Sequence, residues 1–339
     1  MRIIKEVRPG LVDLQVNGYM GHDVNSPSVT PDEIAHLTRA LWGAGTTKFL
    51  PTIITGPRSR MLQSARSIAQ ARREDPLVAA SIIGIHVEGP HLSPVDGARG
   101  AHDSDHLQLP NTALFDQLQE ATEEIIRIVT VAPELPGALE YIEHVTRAGV
   151  IASIGHSSAT AQDIRAAVAA GCSLSTHLGN GIPATIKRHP NQIWSQLAED
   201  TLTAMFITDG YHLPPEAATS MIRAKGVNRS IIVSDSAALA GSPPGTYVTP
   251  VGGRVVVGAD GAIRLENSPL LAGSGATLLD CVNWAAKNLP FTADEIWDMA
   301  SKNPRELLGL HDNDEVTLNL AGSGWQVLAV KIAGETVTG

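Results

Sequence analysis

Four residues suited to metal or proton chemistry each close a short apolar run in this 339-residue chain. Glu88 follows Ile82-Ile83-Gly84-Ile85-His86-Val87, and His156 follows Val150-Ile151-Ala152-Ser153-Ile154-Gly155. His177 follows Ser173-Leu174-Ser175-Thr176, and Asp235 follows Ser230-Ile231-Ile232-Val233-Ser234. A carboxylate and two imidazoles suit a divalent metal with one position left open for water. A further carboxylate beside such a site is placed to take a proton from that water and pass it to a leaving amine. Each residue also has a plainer reading. Glu88 could pair with an arginine or cap a helix, a solitary strand-end histidine is commonly structural, and Asp235 could cap the segment after it. Adjacent strands lie about 4.8 Å apart, however, so imidazoles ending two neighbouring strands can share one ion.

Further candidates surround these four. His102 follows the loop Gly97-Ala98-Arg99-Gly100-Ala101 and reads either as a surface histidine or as a donor to a substrate carbonyl. His212, in Asp209-Gly210-Tyr211-His212, is placed to touch substrate hydroxyls. Gly179-Asn180-Gly181 followed by Lys187-Arg188-His189 combines backbone N–H groups with cations, an anion pocket or else a solvated patch. His86 lies two residues before Glu88, on the same strand face one layer deeper, and reads as structural or supporting. Gln15 and Asn17 end the first apolar run, where amides are poor ligands beside imidazole, so a single metal is expected rather than two.

Bringing such distant positions together requires a scaffold whose strands all point one way. Eight candidate strands alternate with helical patterns: 11–16, 46–52, 78–87, 125–131, 150–155, 174–176, 202–207 and 230–234. That alternation indicates a parallel α/β fold, here a (β/α)8 barrel, in which the strand C-termini surround one mouth. Thr30-Pro31-Asp32-Glu33 and Thr292-Ala293-Asp294-Glu295 read as helix starts, with a capping hydroxyl and an acid three residues on. Two helices are expected near 276–288 and 292–301. Residues 9–312 would form the barrel, with a β-hairpin insertion at 241–267 turning at Asp260-Gly261. Residues 1–8 and 313–339 would form a small β appendage.

Composition agrees with this architecture and narrows the partners. Hydrophobic residues make up 43 % and charged residues 18 %, enough for a large core, while aromatics at 4 % leave that core to Ala, Val, Ile and Leu. A net charge of −10 argues against nucleic acid as a partner, because phosphate backbones demand clustered Lys and Arg. No apolar run is long enough to span a membrane, and the first residues lack a signal peptide's pattern, so a cytoplasmic location is expected. Cys172 and Cys281 have neither disulfide-framework nor metal-pair spacing and should pack as small hydrophobes.

Five segments in register carry a family resemblance: Pro9–Gly18, His86–Pro90, Gly155–Thr160, Thr176-His177-Leu178-x-Asn180 and Val233-Ser234-Asp235. Together they resemble the N-acetylglucosamine-6-phosphate deacetylase family of the amidohydrolase superfamily. Ala300–Leu310 is similar to the helix that closes that family's barrel. The resemblance implies hydrolysis of the N-acetyl group of an amino-sugar phosphate, with one divalent ion, zinc suiting the ligand set. It implies Glu88, His156 and His177 as ligands, Asp235 as general acid/base and His102 as the group polarising the acetyl carbonyl. It likewise implies Asn180, Gly181 and Arg188 at the phosphate and His212 near the sugar, and it leaves room for a homodimer. The chain departs from the family pattern in its short N-terminal segment, in Gly179-Asn180-Gly181-Ile182, where the family carries aromatic-Asn-Ala-Met, and beside Arg188. The first departure bears on stability and dimer packing, and the other two keep open N-acetylgalactosamine 6-phosphate, an unphosphorylated N-acetylhexosamine or an N-acyl amino acid as substrate. A rival of another class is a non-catalytic barrel that binds a sugar phosphate.

Overall fold

Strands rich in Val, Ile and Leu dominate the interior. The computed structural model describes residues 5–249, 253–267, 270–321 and 324–337. Strand β1 (Lys5–Pro9) leads into β2 (Leu11–Val16), buried along its whole length, and a short ribbon follows, β3 (Gly18–Tyr19) with β4 (His22–Asp23). Helix α1 (Pro31–Gly43) starts where the sequence predicts, with the Thr30 hydroxyl accepting from the Glu33 N–H at 3.3 Å. Next come β5 (Thr46–Ile54), α2 (Arg58–Glu74), α3 (Pro76–Ser81) and β6 (Ile85–Glu88). The alternation continues through α4 (Thr112–Ala121), β7 (Ile126–Val131), α5 (Ala138–Arg147), β8 (Ile151–Ile154) and α6 (Ala161–Ala169). It ends with β9 (Leu174–Ser175), α7 (Gln192–Ala198), β10 (Thr203–Ile207), α8 (Pro215–Lys225) and β11 (Ser230–Val233).

These strands form one parallel sheet in the order β11-β10-β9-β8-β7-β6-β5-β2. A parallel bridge from Val16 to Ser236 brings its first and last members together, which closes the expected (β/α)8 barrel. Val12, Leu14, Leu50, Ile128, Leu174, Met205, Ile207, Ile231 and Val233 pack together as one buried cluster within it. Branched aliphatic side chains of this kind fill a barrel interior without aromatic bulk.

One expected strand is shorter than the sequence suggests. Residues 78–87 read as a continuous strand, yet Pro76–Ser81 is helix α3 and only Ile85–Glu88 is strand. Asp75 decides this locally: its carboxylate accepts from the Leu77 and Val78 N–H groups at 2.8 and 3.2 Å, and Pro76 supplies a helical φ at the first position.

Past the barrel, β12 (Gly245–Thr249), β13 (Gly253–Val257) and β14 (Ile263–Leu265) form a three-stranded antiparallel sheet. Strands β13 and β14 pair on either side of Asp260-Gly261, and β12, in a Gly- and Pro-rich stretch, pairs with β13. Helix α9 (Leu278–Asn288) packs beside β11, and α10 (Ala293–Ala300) and α11 (Lys302–Leu308) then close the bottom of the barrel. There the Trp297 indole donates to the Pro9 carbonyl at 3.0 Å, and the Ser301 hydroxyl and Arg305 guanidinium donate to that of Gly10. The chain ends in β15 (Glu315–Ala321), β16 (Gly324–Ile332) and β17 (Glu335–Val337), which with β1 make an antiparallel sheet in the order β1-β15-β16-β17. Both cysteines are free and buried. Among the described residues no helix is long and apolar enough to cross a membrane.

Candidate metal centre

The barrel's parallel direction delivers all four strand-end residues to one mouth. Glu88 is the last residue of β6, while His156, His177 and Asp235 each stand two residues beyond their strands. Those three share a second property: their φ angles are 48°, 29° and 50°, in the left-handed region. Non-glycine residues held there cost about 1–3 kcal/mol each, so the surrounding fold enforces a sharp exit from each strand. The exit turns the side chain inward over the barrel axis.

Three donor atoms meet at the centre. Glu88 Oε1 lies 3.1 Å from His177 Nε2 and 3.2 Å from His156 Nε2, and the two imidazole nitrogens are 3.1 Å apart. Tetrahedral ligands bound at about 2.0–2.1 Å stand roughly 3.3 Å from one another, so this near-equilateral triangle fits a divalent ion on the donor set's own chemistry. A hydrogen bond at the far side orients the His156 ring. His156 Nδ1 donates to the Ala98 carbonyl at 2.9 Å, which leaves its Nε2 lone pair for the centre. Gly100 and Gly181 make room: a Cβ on either, both at positive φ, would come within 3.0 Å or less of the His156 ring. Burial alone would raise the Glu88 carboxyl, but hydrogen bonds from His156 and His177 and their charges outweigh it and hold it well below the usual range.

Asp235 stands beside this triangle and keeps a partly exposed edge. Desolvation, then the Glu88 charge, pushes its carboxyl up to about 8. The Asn17 amide donates to Asp235 Oδ1 at 2.7 Å. His102 is buried, with Nε2 3.2 Å from His156 Nε2 and Nδ1 3.0 Å from the Thr55 hydroxyl. Burial, then the nearby His156, lowers it to about 3, so its ring is neutral in the working pH range. His86 bonds the Leu14 carbonyl and the Thr130 hydroxyl beneath the triangle, the supporting place its spacing suggests.

The remaining predicted residues form a looser rim. Asn180 and Gly181 follow His177 closely, and the Gly181 carbonyl accepts from the Ser157 N–H at 3.1 Å, so the segment lies against the His156 turn. His212 Nδ1 is 2.7 Å from the Asp209 carboxylate, which also accepts from the His212 backbone. Arg188 is exposed, and among the described residues no hydrogen bond or ion pair holds its side chain. The expected anion pocket is therefore not assembled by direct contact between Arg188 and Asn180.

Sequence reasoning does not assign these supporting roles to four residues that the fold brings in. Gln15 donates to Glu88 Oε1 at 2.9 Å, Asn17 bonds Asp235, Thr55 bonds His102, and Asp209 bonds His212. The Gln15-x-Asn17 spacing at a strand end is a usable signal, since both side chains have to face the mouth. Thr55 gives none. Gln15 Oε1, His177 Nδ1 and Asn180 Nδ2 are buried without partners, which leaves polar valences around the mouth.

Residues 7–316 match the model of the amidohydrolase family. The chain is 33 % identical over 307 residues to N-acetylglucosamine-6-phosphate deacetylase of Bacillus subtilis (strain 168), covering 90 % of this chain and 76 % of that protein. It is 31 % identical over 303 residues to N-acetylgalactosamine-6-phosphate deacetylase of Escherichia coli O157:H7, covering 89 % and 78 %. A mutant N-acetyl-D-glucosamine-6-phosphate deacetylase from Mycobacterium smegmatis, solved with N-acetyl-D-glucosamine-6-phosphate, superimposes with a TM-score of 0.88 at 29 % identity, covering 99 % of this chain and 87 % of that one.

Proposed function

This chain belongs to the amidohydrolase family, and from that premise we propose that it hydrolyses the N-acetyl group of an amino-sugar 6-phosphate, N-acetylglucosamine 6-phosphate before others, releasing acetate. The observation that carries the reading is the triangle of Glu88 Oε1, His156 Nε2 and His177 Nε2 at 3.1–3.2 Å with Asp235 beside it. Glu88, His156 and His177 would hold one divalent cation, zinc by preference for this donor set. When bound, such an ion supplies Lewis acidity and makes water nucleophilic at neutral pH.

The chain's own residues manage the protons. Beside a cation held by Glu88, His156 and His177, the Asp235 carboxyl would be drawn back to its ionised form, so that Asp235 takes the proton of the attacking water and later gives it to the departing amine. Asn17, donating to Oδ1, fixes which carboxylate oxygen is free for that exchange. His102 is neutral, so it serves as a hydrogen-bond donor and not as a cation. With the Thr55 hydroxyl donating to Nδ1, the remaining proton sits on Nε2, ready for the acetyl oxygen as negative charge develops there. Asn180, Gly181 and Arg188 serve the phosphate and His212 the sugar. The fuller form of the reading is a cytoplasmic homodimer.

A second substrate has support of its own, because a deacetylase of N-acetylgalactosamine 6-phosphate is nearly as similar as the glucosamine enzyme. Acetate release measured on both 6-phosphates and on the two unphosphorylated sugars, with zinc added, decides. Turnover of neither phosphate would overturn the proposal, and a preference for the galacto sugar would correct it.

A further inference from the structure

We propose that His22, Glu33 and His36 form a second divalent transition-metal site, on the outside of the barrel where the β3–β4 ribbon meets α1. Among the described residues, two trios of potential ligands bring their donor atoms within 4.8 Å of one another: the barrel triangle and this one. His22 Nδ1 lies 2.7 Å from Glu33 Oε2, and the His22 and His36 rings are 5.6 Å apart between centroids. Glu33 and His36 stand three residues apart on α1, a spacing that puts both on one helix face. His22 meets them from the ribbon.

The direction of the Glu33 side chain is the independent observation. In α6, α9 and α10 the acid at the third helical position returns to the capping residue's N–H, closing a reciprocal box. Glu33 occupies the same position in α1, and Thr30 accepts its N–H, yet its carboxylate bonds His22 instead. The cap forgoes one of its two hydrogen bonds, and the carboxylate is left facing two imidazoles. Two nitrogens and one carboxylate oxygen suit zinc, nickel, cobalt or copper and not magnesium or calcium. All three side chains reach solvent, so small χ rotations can bring the donors to the roughly 3.3 Å separations that metal–ligand bonds of about 2 Å require.

An ion there would fasten the ribbon to α1. The ribbon region covers the segment after β11: the Asn17 and Gly18 N–H groups donate to the Ser236 carbonyl at 2.9 and 3.1 Å, and those of Met20 and Gly21 donate to Ala240 and Ala238. The outer site thus braces the turn that carries Asp235, without touching the barrel triangle.

The test is metal stoichiometry, which does not depend on the deacetylase reading. Chelator-treated full-length protein is dialysed against zinc chloride alone, and zinc per chain is measured by mass spectrometry. We expect one equivalent more in the wild type than in His22→Ala/His36→Ala, and at least a tenfold weaker second equivalent in Glu33→Gln. His177→Ala, which removes a ligand of the barrel site, should keep the outer ion. Circular dichroism checks folding, and Glu33→Gln covers the case in which the double variant misfolds. Equal zinc content in wild type and double variant, or an unchanged second affinity in Glu33→Gln, would overturn the proposal.

Discussion

Replacing Asp235 by Asn isolates proton transfer from every other property of the site. The introduced amide would keep an oxygen able to accept from Asn17 Nδ2, now at 2.7 Å, and differs from the carboxylate by one heteroatom, so the fold should survive. The substitution also removes a carboxylate whose desolvation and proximity to Glu88 already disfavour its charge, so thermal stability should not fall. What is lost is the acceptor for water's proton and the donor for the amine. General acid–base groups of this kind contribute about 10²–10⁴-fold, or roughly 3–5 kcal/mol of transition-state stabilisation. The expected result is a fall of that size in kcat for acetate release, with metal content unchanged. Asn17→Ala should cost about tenfold in the wild type but nothing further in the Asp235→Asn background, because Asn17 acts through the carboxylate. An Asp235→Asn enzyme within tenfold of the wild-type rate refutes the assigned role. So does loss of metal from that variant, which would make Asp235 a ligand.

Three other outcomes follow from the geometry. Chelation should abolish acetate release and lower Tm by several degrees, both recovered on adding zinc, since an ion bound only by the folded chain at a hundred times its Kd is worth about 2.7 kcal/mol. Retention of full activity after exhaustive chelation would contradict this. Arg188→Ala should raise KM for 6-phosphorylated substrates by about 10–100-fold, the value of a charge-assisted hydrogen bond, and leave unphosphorylated sugars unaffected. Equal effects on both would remove Arg188 from the phosphate. Burial lifts the Asp13 carboxyl from 3.8 to about 7, so the folded state holds a proton that the unfolded chain releases. Its contribution is complete below about pH 4 and lost as the pH rises through about 7, with an upper size on the order of 4 kcal/mol. Urea unfolding of metal-free protein from pH 4 to 8 should therefore show a falling stability that Asp13→Asn flattens, and parallel curves for the two proteins would exclude it.

Much of the barrel and its mouth was legible in the chain itself. Apolar runs of strand length ending in Glu88, His156, His177 and Asp235 carry their own address, because a parallel strand exposes its last residues at one end. Helix starts at Thr30 and Thr292 were equally local, the first set by the capping hydroxyl and Pro31, the second by a reciprocal pair of side chains three residues apart. Residues 78–87 misled because apolar content cannot separate a strand from a buried helical turn, and one carboxylate at Asp75 tipped the choice. Strand β12 at 245–249 carries no local signal of its own, since a strand beside Gly and Pro is paired only once its partner β13 is in place.

What sequence alone determined was chemistry: which residues can bind a cation, which can carry a proton, and the repeating strand–helix order that presents them. Tertiary structure decided who meets whom. Gln15 reaches Glu88 across 73 residues, Asn17 reaches Asp235 across 218, and Glu33 turns from its own helix cap to His22. Such pairings depend on barrel closure between Val16 and Ser236 and on three left-handed turns at the mouth. Local patterns encode the burial of a face, whereas contacts between distant segments exist only after the sheet has curved onto itself.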